Sequence, residues 1–377
     1  MAGADAEAGT ARQQRLAVLI AFTGDGGVEN MVTNLLHGFV AEGVAVDLLL
    51  LKGRGGHLDR IPAAVRIHHL NARTSLQALP AVMRYLRRER PKALLVAKDR
   101  ASRVALLARR LTGVDTRVVL RMGMHLSGSL AGKSALRRWS RYLPVRWLYP
   151  WADAIVTVAD AVADDLARIG NIPRERFTVI RNPTIPPDLE ARTQAPAAHP
   201  WLPASVDAPV FLGVGRFTAQ KDFATLLRAF AALRRSRPGR LILLGDGPER
   251  DRLETLAREL GIGADVAMPG FRDNPWAWMA RSSVFVLSSR WEGAPNVLVE
   301  AMAAGTPVVA TDCPSGPAEI LDHGRIAPLV PVGDAHALAA AMGDALDRPP
   351  DPARLRAAVA DYRLPASTRR YLEVLGY

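Results

Sequence analysis

Short apolar runs alternate with longer stretches of helical periodicity along the whole chain. In the first half the runs fall at 16–22, 45–51, 93–97, 117–120, 154–158 and 178–180. Between them, 27–42, 76–89 and 102–111 repeat apolar residues at the spacing of a helix face. Runs that are apolar throughout suit strands covered on both faces, so the alternation predicts a parallel sheet with helices on either side. Residues 183–209 turn rich in Pro and Ala and read as a linker. The pattern then restarts, with strands expected at 210–214, 241–244, 265–268, 284–287 and 307–310 and helices at 222–235, 248–260, 275–281 and 295–304.

The length fits this division. At roughly 100–200 residues per domain, 377 residues make two domains, expected at 1–182 and 183–365. The fold class is α/β: two doubly wound, Rossmann-like domains facing a central cleft, with ligands outside the carboxyl ends of the strands. A hydrophobic fraction of 49% and a charged fraction of 23% exclude a disordered tail, a collagen-like repeat and a disulfide scaffold. The single cysteine, Cys313, has no partner for an internal disulfide, which fits a cytosolic chain or one indifferent to redox compartment. The first apolar run stops at Thr23-Gly24-Asp25-Gly26-Gly27, too short for a signal peptide core or a span of about 20 residues. It reads as a buried strand ending in a glycine turn.

Charge is unevenly distributed. Residues 1–182 carry 28 basic against 15 acidic side chains, whereas 183–377 carry 21 against 22. The surplus lies in the first half, so the halves meet different partners. Phosphate-rich substrates, anionic membrane and nucleic acid all suit a basic surface.

Two clusters in the second half carry candidate chemistry. After the strand at 210–214 comes Gly215-Arg216-Phe217-Thr218-Ala219-Gln220-Lys221-Asp222. An Arg fork and a Lys point charge at a strand-to-helix turn suit a diphosphate whose charge grows as it leaves, although solvated cations are the commoner fate of such residues. After the strand at 284–287 comes Glu292-Gly293-Ala294-Pro295-Asn296-Val297-Leu298-Val299-Glu300. Its helix start offers exposed amides for a phosphate, with Gly293 allowing close approach. Glu292 and Glu300 bracket that start and can accept from sugar hydroxyls. Alone, the pair of glutamates is a weak signal.

Their order along the chain is specific. Gly215-Arg216 with Lys221, Gly245-Asp246-Gly247-Pro248, Gly270-Phe271, the Glu292 and Glu300 pair, and the continuation Ala301 to Asp312 follow one another. Over most of 210–334 this closely resembles family 4 of the retaining glycosyltransferases, which have the two-domain GT-B architecture. In the first half the resemblance rests on Gly26-Gly27-Val28-Glu29. It implies that Arg216 and Lys221 clamp the donor diphosphate and that Glu292 holds the donor sugar's hydroxyls. The amides of Gly293 and Ala294 lie near the phosphates, within a donor-binding set that includes Gly215, Asn296 and Val297. Glu300 holds the nucleotide ribose, Gly270 and Phe271 border the base, and Gly26 and Gly27 approach the phosphate or the acceptor. Members often carry a His after the fourth strand of the first domain; here Arg121 and His125 both stand near that place. The tail from 366 to 377 resembles a terminal helix that packs back on the first domain.

No Asp-x-Asp triplet or His/Cys cluster offers a metal site, so neither metal nor other cofactor is expected. The segment 137–151 mixes four Arg with three Trp and two Tyr, a composition suited to a headgroup interface, and also to aromatics facing a core. The resemblance thus implies a retaining transferase using a nucleotide-sugar, UDP-sugar favoured and GDP-mannose the alternative, and expected to work without a metal. Its acceptor is expected to be a polyprenyl-diphosphate-linked or other lipid-linked glycan in surface polysaccharide or glycolipid assembly. It is expected to sit peripherally on the cytoplasmic face of the inner membrane, through an anionic surface met by the first domain. The rivals are a nucleic-acid-binding module and another sugar-nucleotide enzyme of this fold, an epimerase or a phosphorylase.

Overall fold

The computed structural model describes residues 15–22, 27–53, 56–72, 74, 76–204 and 208–377. The chain divides into two compact units: Met1–Pro183 with Leu364–Tyr377, and Thr184–Arg363. Each is built on a parallel sheet, and helices follow most strands.

In the first unit the strands are β1 Leu16–Ala21, β2 Val46–Lys52, β3 Arg66–His69, β4 Ala93–Ala97, β5 Arg117–Met122, β6 Ala154–Thr157 and β7 Phe177–Val179. Among the described residues they form one sheet in the order β3-β2-β1-β4-β5-β6-β7. The direction of winding reverses between β1 and β4, which makes their carboxyl ends the switch point where ligands bind in such sheets. β3 escapes the apolar pattern because three of its four residues are exposed. It is held as an edge by backbone pairing to β2 and by Arg66, which donates to Asp47 at 3.0 and 2.6 Å. A charged edge strand of this kind also discourages pairing with another chain.

The C-terminal helix Leu364–Leu375 belongs to this first unit. Its Tyr371, Leu372 and Leu375 join the core formed by β1, β2 and the helix Gly27–Ala41. Gly38 makes that contact possible: a Cβ there would lie 2.1 Å from Thr368 Oγ1. Arg117 Nε donates to Val374 O at 2.7 Å and Ser367 Oγ to Arg181 O at 2.8 Å, pinning the helix along its length.

The second unit carries β8 Val210–Val214, β9 Arg240–Leu244, β10 Val266–Gly270, β11 Val284–Leu287, β12 Val308–Thr311 and β13 Leu329–Val330, in the order β10-β9-β8-β11-β12-β13. Alternate residues feed opposite faces, as the two-residue period of a strand requires. Val210, Leu212, Ile242, Leu244, Phe285 and Leu287 enter one core, and Phe211, Leu241, Leu243, Val284 and Val286 the other. The Pro- and Ala-rich stretch is not free chain. It contains the helix Leu189–Gln194, and Trp201 packs on the first of these cores, with Arg240 5.1 Å over its ring. The switch point of this sheet lies between β8 and β11, so the loops that follow those strands are the ones a ligand would meet.

Candidate functional site

The loop after β8 is shaped by close backbone approach. Gly215 has φ +155°, and a Cβ on it would stand 2.9 Å from Lys221 Cε, so glycine lets the lysine side chain lie across the strand end. Gly245 approaches Gly215 more closely still, 2.0 Å from its carbonyl oxygen to the place of a Cβ. Phe217 N donates to Asp246 O at 2.9 Å, and the Phe217 ring is fully buried edge-on against Phe223 at 5.3 Å. The Gly-Asp-Gly turn after β9 is therefore a brace for the Arg216 loop.

This loop is clipped to the one after β11. Arg290 N donates to Gln220 O at 2.8 Å, Ser288 Oγ to Lys221 O at 2.8 Å, and Arg290 Nε to buried Asp222 at 2.9 Å. Between the two loops Lys221 Nζ meets Glu292 Oε1 at 2.6 Å. Ser289 Oγ donates to the same oxygen at 2.7 Å, and Gln220 Nε2 to Oε2 at 3.3 Å. Glu292 and Lys221, expected as separate arms of the site, form one ion pair. Nearby Cys313 is buried, its thiol pushed up to about 12 by burial and by the charge of Glu292.

After Glu292 the chain turns at Gly293-Ala294-Pro295 into the helix Asn296–Ala304. Gly316 packs against the turn, where a Cβ would lie 2.5 Å from Pro295 Cδ. The amides of Gly293, Ala294 and Val297 have no acceptor among the described residues, so the turn presents donors together with the positive end of a helix. Asn296 is engaged through Oδ1, which accepts from Thr184 Oγ1 at 3.4 Å.

Glu300 is the most distinctive group of the site. Its side chain is buried and makes no hydrogen bond among the described residues. Burial pushes its pKa up to about 7, with the charges of Lys221 and Arg192 partly opposing the rise. Its oxygens are not among the fully buried polar atoms that lack a partner, so they remain within reach of a ligand, and paired hydroxyl groups would supply the donors that the protein does not.

Two expected residues stand open to solvent. The Arg216 side chain is exposed and has no hydrogen-bond or ion-pair partner among the described residues. Phe271, following Gly270 at the end of β10, is 57% exposed. A free guanidinium and an uncovered ring on the carboxyl side of one sheet suit an anionic ligand with an aromatic part.

The first unit has its own cluster at its switch point. Gly27 opens the helix Gly27–Ala41 and is exposed, while Gly26 lies outside the described residues. Lys98, directly after β4, adopts φ +81°, a strained backbone for a residue with a side chain. Its Nζ reaches Ala21 O at 2.7 Å and Glu29 Oε1 at 2.5 Å. Sequence reading passes over Lys98; the one available signal is a lysine directly after a switch-point strand. Ser289 and Gln220 are missed likewise, since polar loop residues carry no mark of what they touch.

Arg121 and His125 have different surroundings. Arg121 is buried in β5 and donates from Nη2 to Asn182 Oδ1 at 2.7 Å. Burial lowers its pKa, opposed by Tyr371 of the C-terminal helix. His125 caps the short helix Leu126–Ser129, its Nδ1 accepting from Gly128 N at 3.2 Å. That bond leaves the proton of the neutral ring on Nε2. Among the described residues no group of three His, Cys, Asp or Glu is placed to hold a metal ion.

Comparison with known proteins follows the same division. A model of glycosyl transferases group 1 matches residues 197–361, and a model of the glycosyl transferase 4-like domain matches 26–183. A lipopolysaccharide core biosynthesis glycosyltransferase of Rhizobium meliloti is 32% identical over 327 residues, covering 85% of this chain and 86% of that one. An N-acetylgalactosamine-N,N'-diacetylbacillosaminyl-diphospho-undecaprenol 4-alpha-N-acetylgalactosaminyltransferase of Campylobacter jejuni is 28% identical, covering 86% and 88% of the two chains. In fold, an Anabaena protein solved in complex with UDP and glucose superposes with a TM-score of 0.77 at 19% identity, over 96% of this chain and 99% of the other.

Proposed function

This chain belongs to the family 4-type glycosyltransferases of GT-B fold, and from that premise we propose that it transfers a sugar from a UDP-sugar to a lipid-linked saccharide with retention at the anomeric carbon. Its relatives are named for lipopolysaccharide core assembly and for an undecaprenol-linked acceptor, which supports glycosyl transfer in surface polysaccharide biosynthesis. The observation that carries the donor assignment is Glu300: a buried carboxyl without hydrogen bonds among the described residues, on the helix entered through the turn where the amides of Gly293, Ala294 and Val297 have no acceptor. A nucleotide ribose would supply its two donors, and the diphosphate would take the amides.

In this reading Arg216 and Lys221 stabilise the charge that develops as the bond from C1 to the phosphate oxygen breaks. The electron pair leaves with the phosphate, and the acceptor oxygen bonds to C1 on the same face. The acceptor's proton passes to the leaving phosphate oxygen. Glu292, fixed by Lys221 and Ser289, directs the donor sugar's hydroxyls, and His125 offers Nε2–H to the reacting sugar. No metal is required, because the amides and the two cations meet the charge. The enzyme works peripherally at the cytoplasmic face of the inner membrane, where such acceptors are anchored.

The test is transfer to an undecaprenyl-diphosphate-linked saccharide from UDP-sugars and from GDP-mannose, with and without a chelator. Consumption of a UDP-sugar with retained anomeric configuration by NMR, indifferent to the chelator, is expected. Inversion at C1, turnover of GDP-mannose alone, or loss of activity to the chelator would overturn the corresponding part.

A further inference from the structure

The helix Ala135–Leu148 faces the wrong way for a core helix. At about 100° per residue, Leu136, Trp139, Leu143 and Trp147 fall on one stripe about 80° wide. Val145, the one residue of this helix that is buried among the described residues, lies on the opposite side. The apolar stripe therefore points outward. Leu136 is 75% exposed, Trp139 59% and Trp147 66%, and Trp151 just beyond is 40% exposed. The inner side is tied to the helix Asp99–Thr112, where Asp99 receives Arg141 at 3.3 Å and the Tyr149 hydroxyl at 2.9 Å. The stripe is thus held in place.

Charge says what covers it. Residues 126–152 contain Lys133, Arg137, Arg138, Arg141 and Arg146 and no acidic residue. Arg137 and Arg146 flank the stripe on either side, where their long stems let guanidinium groups reach headgroups while the rings enter the acyl boundary. A second copy of the chain would bring this basic strip against itself in a symmetric contact, which like charges oppose. An apolar stripe between cations is complementary to an anionic bilayer.

We propose that this helix docks the protein on anionic lipid, with Trp139 and Trp147 inserted at headgroup depth and Arg137 and Arg146 on phosphates. The inference deepens the membrane side of the function proposed above and rests on it.

The test is co-sedimentation of the full chain with vesicles of phosphatidylcholine alone and mixed with phosphatidylglycerol, at low and moderate salt. Tryptophan emission and UDP or GDP binding are followed in parallel. Anionic vesicles should bind at least about tenfold more tightly than neutral ones, at about fivefold per basic residue, with a blue shift of emission. Trp139→Ser with Trp147→Ser should lose about tenfold or more, and Arg137→Glu with Arg146→Glu about 25-fold or more. In both variants thermal unfolding and nucleotide binding should stay as in the wild type. Equal binding to both vesicle types, or full binding by the Trp variant, overturns the proposal. So does a wild-type dimer that the Trp variant dissociates, or binding of duplex nucleic acid without vesicle binding. Vesicle binding without nucleotide binding would leave this helix in place and sink the donor site instead.

Discussion

Lys221→Met is expected to lower turnover at saturating donor on the order of a thousandfold, the upper range for removing one preorganised donor to a developing anion. Two effects combine. In the proposed mechanism the substitution removes a cation from the leaving diphosphate, and it strips Glu292 of the partner that holds it at 2.6 Å. The bare carboxylate would then stand near the incoming phosphates, where its charge repels them. Folding should suffer less than the 3–5 kcal/mol typical of a broken buried pair, because the lysine side chain is 16% exposed and water reaches it. Arg216→Ala provides the contrast. Its side chain is exposed and unpartnered among the described residues, so turnover should fall while the unfolding temperature stays. If single-turnover rates of both variants match the wild type, neither cation serves the leaving group.

The second large effect is on stability. Asp47 is fully buried and accepts from Arg15 at 3.1 Å, from Arg66 at 3.0 and 2.6 Å, and from the Tyr85 hydroxyl at 2.7 Å; His68 stands 3.5 Å away. Asp47→Ala leaves Arg15 and the Tyr85 hydroxyl without this acceptor and reduces the Arg66 clamp on edge strand β3 to its bond with Glu89 at 2.8 Å. A loss of about 3–5 kcal/mol should lower the unfolding temperature of the first unit by roughly 10 °C. Acid should erode the same interaction. Burial pushes the Asp47 carboxyl up, but hydrogen bonds from Arg66 and Tyr85 and the charges of Arg66 and Arg15 outweigh it and hold the pKa below the ordinary 3.8. With the folded value depressed, the unfolded chain binds the proton first. The stabilisation is complete above the ordinary value and is lost as pH falls through the folded one. Thermal unfolding by circular dichroism against pH should show that decline in the wild type and a flatter curve in the variant. An unchanged midpoint for Asp47→Ala would contradict a structural role for this carboxylate.

Much of the scaffold was legible because its strands are buried on both faces. The runs at 93–97, 210–214 and 284–287 are the strands themselves, β4, β8 and β11. β3 was invisible because its side chains face water and its pairing depends on β2, and β13 because two residues make no pattern. At the site, the order of glycines, cations and glutamates located the loops. Nothing local announced that Lys221 would bind Glu292 71 residues away, or that Glu300 would be buried, since a glutamate in a helix ordinarily reads as surface. Arg121 and His125 were equivalent as letters. Their separation comes from β5, which buries one beside Asn182 and leaves the other to cap a helix. The Arg- and Trp-rich segment was legible as amphipathic, but which face turned outward was decided by the placement of Val145.

The donor site is tested most directly by calorimetric titration of UDP and GDP into the wild type and Glu300→Ala at pH 6 and pH 8. Burial pushes the Glu300 pKa up to about 7, and in the proposed donor site the ionised form would accept from two hydroxyls, so affinity should rise with pH through that value and then level. One nucleotide, UDP, should bind, and Glu300→Ala should weaken it about 10- to 100-fold, as expected for hydrogen bonds to a charged group, and flatten the pH dependence. If neither nucleotide binds, or if the variant keeps the affinity and pH dependence of the wild type, the donor-site assignment is contradicted.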